Sequence, residues 1–418
     1  MPHRILLLML LSVSTLLSQS VFFDFATLAR KDSFYNELKL KITECQKPAN
    51  FKNADIMANG LWAAELTMDR SPEFKAFLGS MMDSLIKFDS DIQRRILQTA
   101  FTLYRGEFKV SAEKFAGQTS NVKLFAMAVN YCDLSVSEMQ EYEKLAKTKF
   151  AGELNNPILQ ALIGNLSMKA KGGEKLPPVT DLLNYGKDTS VFRMFMFVRN
   201  DRNYAGRIVF RRKNGEFLRD NSGKLVTLPY FARALPNMPG YLTNGNSPQG
   251  VFSVTGVYNS AAKLIGPTPR IRLFMPSETD NNTFYNSKAN LKGESDSILY
   301  RKLFPESWRE YFPVMESFYA GKAGRFDIVM HGTTVDQRYY LKEVFYPNVP
   351  THGCLSGIEL WDDKGILISS DQQKLLDIYS SLGNPKGFLY LIELNDEKRT
   401  VSEEDIEKLF NYTEIKLK

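Results

Sequence analysis

The 418-residue chain is 44% hydrophobic and 24% charged, ordinary globular values that exclude wholesale disorder, a fibrous repeat and a polytopic membrane protein. Its 53 Lys and Arg against 47 Asp and Glu leave +6, spread along the chain. A nucleic-acid binder concentrates its basic residues in a stripe, so no nucleic-acid partner is expected, while a weak preference for an anionic polymer such as cell wall stays allowed. The scarce residues carry the information: Cys45, Cys132 and Cys354, with His3, His331 and His352.

The chain opens like an export signal. Met1-Pro2-His3-Arg4 leads into the apolar run Ile5 to Leu17, which as a helix reaches only about 20 Å, short of the ~30 Å hydrocarbon core of a bilayer. Ser18-Gln19-Ser20 supplies small residues for a peptidase, so residues 1–20 are expected to be a signal peptide and the protein to be exported, to the periplasm or cell envelope. An uncleaved anchor is the alternative, since Val21-Phe22-Phe23 extends the apolar stretch.

From about Asp24 to Ala170 apolar residues recur at three- and four-residue spacing, which predicts an all-α domain over 21–175. Ser71-Pro72 places an N-cap before a proline at the first helical position, and Ser135-Val136-Ser137-Glu138 is a capping box. Segments such as Phe74 to Phe88 and Ile92 to Tyr104 suit successive antiparallel helices, in an array of hairpins or a simple bundle. Lys171-Gly172-Gly173-Glu174-Lys175-Leu176-Pro177-Pro178 cannot continue a helix and reads as a linker between separate cores.

Beyond it β signals dominate. Phe192 to Val198 is a strand-like run, and Arg207 to Lys213, Asn214-Gly215 and Glu216-Phe217-Leu218 form a hairpin with a type I′ turn signal. Val251 to Val257, Arg270 to Met275 and Phe326 to Met330 supply further strands. Ser370 to Gln373 caps a helix ending at Gly383, and Gly387 to Leu394 returns as a strand. A second domain is expected over 185–395, with 396–418 as a C-terminal tail, so the fold class is α+β with a mainly antiparallel sheet. Residues 277–323, polar and then aromatic, read as an insertion: either a helix-bearing excursion packed on the sheet or a lid.

The chemistry gathers where Phe326-Asp327-Ile328-Val329-Met330 runs into His331-Gly332-Thr333, followed after a polar loop by Thr351-His352-Gly353-Cys354-Leu355-Ser356-Gly357. A cysteine is a nucleophile as thiolate, and a histidine within hydrogen-bond reach takes its proton and returns it to a leaving amine. Glycine before the cysteine allows close backbone approach, so the Gly353 and Cys354 amides suit a developing oxyanion. Inert buried groups are one alternative reading, and a zinc site of one Cys and two His is another. No second cysteine or acidic cluster supplies a fourth ligand nearby, so neither metal nor cofactor is expected. Cys45 and Cys132 either pair, leaving Cys354 free, or are buried inert thiols.

These residues resemble the L,D-transpeptidases with a YkuD-like catalytic domain, whose signature is a histidine, a loop, then Ser or Thr followed by His-Gly-Cys. His331-Gly332-Thr333 is similar to the first block and Thr351-His352-Gly353-Cys354-Leu355 to the second. Upstream, Ser247-Pro248-Gln249-Gly250-Val251-Phe252 is similar to the family's Thr-Pro-x-Gly-x-Phe segment. The likeness covers roughly residues 190 to 395, a little under half the chain. It implies a β-sandwich-like catalytic domain and peptidoglycan stem peptides as substrate. Cys354 would attack the carbonyl before a terminal D-alanine, and an acceptor amine would resolve the acyl-enzyme. His331 would be the general base, His352, Thr351, Gly332 and Thr333 would shape the site, and Gly353 would help form the oxyanion hole.

Two features depart from the family pattern. Nineteen residues, Gly332 to Pro350, separate His331 from Thr351, slightly more than usual, a difference of small entropic cost. Ser356 stands where Arg or Asn is common, so the substrate carboxylate falls to Ser356 itself, Arg338, Lys342 or a residue of the insertion. If water replaces the acceptor amine, the same site is an L,D-carboxypeptidase. A reading of another class is a non-enzymatic wall-binding or scaffold protein. In either case the helical half is available to bind an envelope protein partner.

Overall fold

A computed structural model describes residues 21–287 and 295–415; the expected signal peptide lies outside them. Among the described residues eight α-helices fill the first half: α1 (Leu28–Cys45), α2 (Ala54–Thr67), α3 (Pro72–Asp83), α4 (Ser90–Leu103), α5 (Lys109–Gln118), α6 (Val122–Tyr131), α7 (Val136–Lys149) and α8 (Pro157–Ala170). Their starts follow the sequence. The Ser71 side chain accepts from the Phe74 amide with Pro72 at the first helical position, and Ser135 and Glu138 close a reciprocal capping box. No described helix is long and apolar enough to cross a membrane.

The second half holds α9 (Val179–Asn184) and strands β1 (Phe192–Val198), β2 (Gly206–Arg211), β3 (Thr227–Tyr230), β4 (Gly250–Tyr258) and β5 (Arg270–Phe274). Then come α10 (Asn281–Phe284), α11 (Asp296–Arg301), α12 (Glu316–Lys322), β6 (Val329–His331), β7 (Leu355–Ser356), β8 (Glu359–Trp361) and β9 (Leu367–Ser370). The chain ends through α13 (Asp371–Ser381), β10 (Gly387–Glu393) and α14 (Glu403–Ile415). Eight strands join one sheet in the order β3-β2-β1-β10-β4-β5-β6-β7, parallel at β1/β10 and β6/β7 and antiparallel elsewhere, while β8 and β9 form a separate ribbon.

A mainly antiparallel α+β fold is thus present, but in place of two sheets facing each other one large sheet has helical elements against both faces. Met194, Met196, Leu389 and Leu391 meet Leu375 and Tyr379 of α13 on one face; Phe195, Phe197, Tyr390 and Ile392 meet other elements on the opposite face. Burial on both sides explains why β1 and β10 read as nearly unbroken apolar runs. The second face is covered by the presumed insertion: Phe284, Tyr300, Phe304, Trp308, Val314 and Phe318 pack there as core. Of the two readings of 277–323, its described part fits the excursion packed on the sheet rather than the lid. The expected tail also contributes, since Val401 and Ile406 enter the same cluster around α14.

The β2 hairpin forms, with a different turn. Gly215 alone has positive φ, at 87°, whereas a type I′ turn needs two such residues. The Gly215 amide bonds the Arg212 carbonyl and the Arg212 amide bonds that of Glu216, the pattern of a type I turn followed by a left-handed glycine.

The two halves share an apolar cluster. Phe231, Leu235, Met238, Tyr241, Leu242, Tyr340, Phe345 and Val349 pack into the same buried group as Leu61, Leu97, Phe125 and Leu162 of the helices. The glycine-rich linker breaks the helical pattern, yet the core continues across the fold, because side chains from loops of the second half fill the helical surface.

Candidate functional site

The site is built by the parallel pair β6/β7, where Met330 lies opposite Leu355 and His331 opposite Ser356. Extending the register back one residue sets Cys354 beside Val329. Met330 and Leu355 enter the core cluster of one face, so alternation turns His331 and Cys354 to the other. They share that side of the sheet, His331 at the end of β6 and Cys354 one residue before β7. The sequence blocks separated by nineteen residues thus converge.

Cys354 is partly exposed, and its Sγ–H donates to the Asp327 carbonyl at 3.6 Å. Burial pushes the thiol up to about 11, Asp327 adds to the rise, and a Val329 backbone hydrogen bond with the Arg325 and Arg270 guanidiniums oppose it. His331 is 5% exposed, and burial pulls its imidazole down to about 4 against the opposing hydrogen bond to the Gly332 carbonyl. A carbonyl only accepts, so Nδ1 carries the proton and Nε2 presents its lone pair. At neutral pH the thiol and the imidazole are therefore both neutral.

The loop around the thiol is tightly fixed. Thr351 Oγ1 accepts from the Gly353 amide at 2.9 Å and donates to the Cys354 carbonyl at 2.8 Å. The Gly353 amide is therefore engaged within the loop rather than turned to a substrate. Gly353 itself sits at φ 109°, and a Cβ there would fall 1.7 Å from Arg325 Nη2. Only glycine fits. The buried Arg325 guanidinium donates to the carbonyls of Gly240, Gly245 and Asn246. Ser247, from the upstream block, donates through Oγ to the Gly353 carbonyl at 2.9 Å, which brings the third sequence block into the same constellation.

Gly332 and Thr333 shape the turn after His331 through Glu359. A Cβ at Gly332 would meet the Glu359 carboxylate at about 2 Å, and that carboxylate accepts from the Thr333 amide at 3.0 Å, Thr268 Oγ1 at 2.6 Å and Ser370 Oγ at 2.7 Å. His352 keeps solvent access, yet desolvation by the protein around it, followed by Arg94 and Arg95 of α4, lowers its pKa.

The residues expected to contact substrate are engaged within the protein or lie on its surface. Ser356 is buried and donates to the Val349 carbonyl. Arg338 pairs with Asp336 and, at 2.8 Å, with Asp32 of α1. Lys342 is exposed on the surface. Arg338 thus belongs to a clamp that fastens loop 332–350 to the helices: Tyr339 stacks on Tyr35 at 3.9 Å between centroids, Tyr35 accepts from the Asp336 amide, Tyr340 donates to the Leu66 carbonyl, and Glu343 pairs with Arg70. A second link runs through α2 and α4. Gln98 and Thr99 donate to buried Glu65, and Asn244, next to the Gly245 carbonyl held by Arg325, donates to Gln98 at 2.9 Å.

Sequence reasoning missed Arg325, Asp327, Glu359 and the helical clamp. Asp327, expected inside a strand from Phe326, instead precedes β6, which starts at Val329, and stands at φ 56°, a left-handed conformation that Asp tolerates better than most residues. Cys45 and Cys132 are both buried and unpaired, bonded instead to the Ile42 and Ala128 carbonyls, so the disulfide reading does not hold. Among the described residues no three His, Cys, Asp or Glu side chains cluster as a metal site.

No family model, curated protein or solved structure matches the chain. Fold and site define an α+β protein that carries a partly exposed thiol just before β7 and a buried imidazole at the end of β6.

Proposed function

We propose that the protein is a cysteine-dependent acyltransferase of the L,D-transpeptidase type acting on peptidoglycan stem peptides in the cell envelope. The observation that carries this reading is that His331 ends β6 while Cys354 immediately precedes its parallel neighbour β7, with the His331 Nε2 lone pair left free by the Nδ1 bond to the Gly332 carbonyl. The convergence of the Ser247 block on Gly353 supports it.

In this reading Cys354 Sγ attacks the carbonyl between the diamino acid's L-centre and the terminal D-alanine. His331 Nε2 removes the thiol proton as the S–C bond forms, because a thiol held near 11 leaves little standing thiolate at pH 7. The same nitrogen protonates the departing D-alanine amine, leaving a thioester. A second stem's amine, deprotonated by His331, displaces Cys354 and gives the cross-link. Since Thr351 occupies the Gly353 amide, the Cys354 amide is the oxyanion donor of the pair.

Incubation of the protein with disaccharide-tetrapeptide, read by mass spectrometry, tests the reading. The expected product is a cross-linked dimer that has lost one alanine. Conversion to tripeptide alone selects L,D-carboxypeptidase, and unchanged substrate with no Cys354 adduct rejects both.

A further inference from the structure

A cavity of about 580 Å³ opens along the seam between the two halves, lined from α8 by Asn165 and Lys169, from α6 by Asn130, and from the sheet side by Gln249, Glu316 and Glu393. That volume lies within the range of small-molecule sites. Two groups in its lining lack a matched partner. Gln249 is 1% exposed, and its Nε2 has no hydrogen-bond partner, although its Oε1 accepts from the Glu393 amide. A buried amide donor left unpaired costs about 1–3 kcal/mol, so an acceptor brought by a ligand answers a standing deficit.

Glu316 supplies the opposite need. Its carboxylate accepts from the Gly240 amide at 2.6 Å and the Gln249 amide at 2.9 Å, and among the described residues it has no ion pair. Glu393 nearby is matched by Arg202 at 2.7 Å. A buried carboxylate with no direct ion pair, the Arg202 guanidinium acting on it only at longer range, beside an unfilled donor, suits a ligand carrying an ammonium and an acceptor a short distance apart. Toward the mouth stand Lys169, exposed, and Arg105, whose Nη1 donates to the Asn237 carbonyl. Both favour a carboxylate at the other end of that ligand.

We infer that this cavity binds a short zwitterionic peptide, its ammonium on Glu316 and its carbonyl or carboxylate on Gln249 Nε2, with Lys169 and Arg105 taking the terminal charge. The site does not depend on Cys354 chemistry. It does adjoin it, because Gly240 and Asn246 line the cavity while their carbonyls hold Arg325 against Gly353.

Calorimetric titration of the full chain with the dipeptide Ala-Ala tests the inference. Saturable one-site binding is expected, weakened about tenfold or more by N-acetylation, by C-terminal amidation, or by Gln249→Glu, which keeps the acceptor for Glu393 and removes the donor. Should Gln249→Glu fail to fold, Asn165→Trp on α8 fills the mouth and is expected to abolish binding with the melting temperature unchanged. No binding of Ala-Ala, equal binding of the N-acetylated peptide, or binding that survives Asn165→Trp overturns it. Since the readout is binding alone, failure here is distinct from failure of the Cys354 reading, which is scored by acylation.

Discussion

The ring of Tyr339 stacks on that of Tyr35 with centroids 3.9 Å apart, joining the loop between His331 and Cys354 to helix α1. Removing the loop's own ring should move the loop more than it unfolds the protein. Stacking of this kind contributes about 0.5–1.5 kcal/mol beyond area burial, so Tyr339→Ala is expected to lower the Cys354 acylation rate several-fold with a small drop in melting temperature. An unchanged acylation rate would show that the helices do not position the loop.

The shared core predicts the behaviour of a truncation. A fragment starting at Asp181 exposes Phe231, Leu235, Met238, Tyr241 and Phe345, all buried against the helices, and each large side chain is worth about 1.5–3 kcal/mol on burial. It should unfold without cooperativity or aggregate. A sharp thermal transition in the isolated fragment would mean that the sheet completes its core alone.

Covalent labelling should single out one thiol. Burial raises Cys45 and Cys132 to about 12, and neither is exposed. A carbapenem, a strained mimic of the acyl donor, is expected to add one mass at Cys354 and none elsewhere, with the adduct absent from Cys354→Ala. Iodoacetamide, which needs preformed thiolate, should react slowly at pH 7 and faster as pH approaches 11. Carbapenem uptake by Cys354→Ala would overturn the nucleophile assignment.

The two histidines should separate by pH. His331 acts as a base only when neutral, so acylation in the wild type should hold through pH 6 and fall as pH drops toward about 4, below the ordinary imidazole value of about 6.5. His331→Ala should nearly abolish acylation at pH 7, a loss beyond the 10²- to 10⁴-fold typical of proton transfer alone, with partial recovery in alkali. His352→Ala should retain more activity. The reverse ranking would make His352 the base.

The same burial makes a stability prediction. His331 has a folded pKa below its unfolded one, so the unfolded chain binds the extra proton between about 6.5 and 4 and stability falls as pH falls through that window. At 1.36 kcal/mol per pKa unit the contribution is up to about 3 kcal/mol. His331→Gln should flatten that part of the denaturation profile relative to wild type, and parallel profiles would contradict the buried neutral imidazole.

Local pattern determined a good deal. Caps at Ser71 and Ser135, the apolar runs of β1 and β10, and the blocks around His331 and Cys354 were legible because helix starts, strand burial and nucleophile chemistry depend on neighbouring residues, whereas the Ser247 block was marked by resemblance alone. The single sheet, the packing role of residues 277–323 and the C-terminal helix were not, since an apolar stripe does not name the surface it will cover. Nor were Arg325, which reaches carbonyls about 80 residues away, Glu359, or the helical clamp. Protonation was decided by tertiary structure too: spacing suggested a thiolate–histidine pair, but desolvation on folding holds Cys354 and His331 neutral, because burial disfavours charge in both groups.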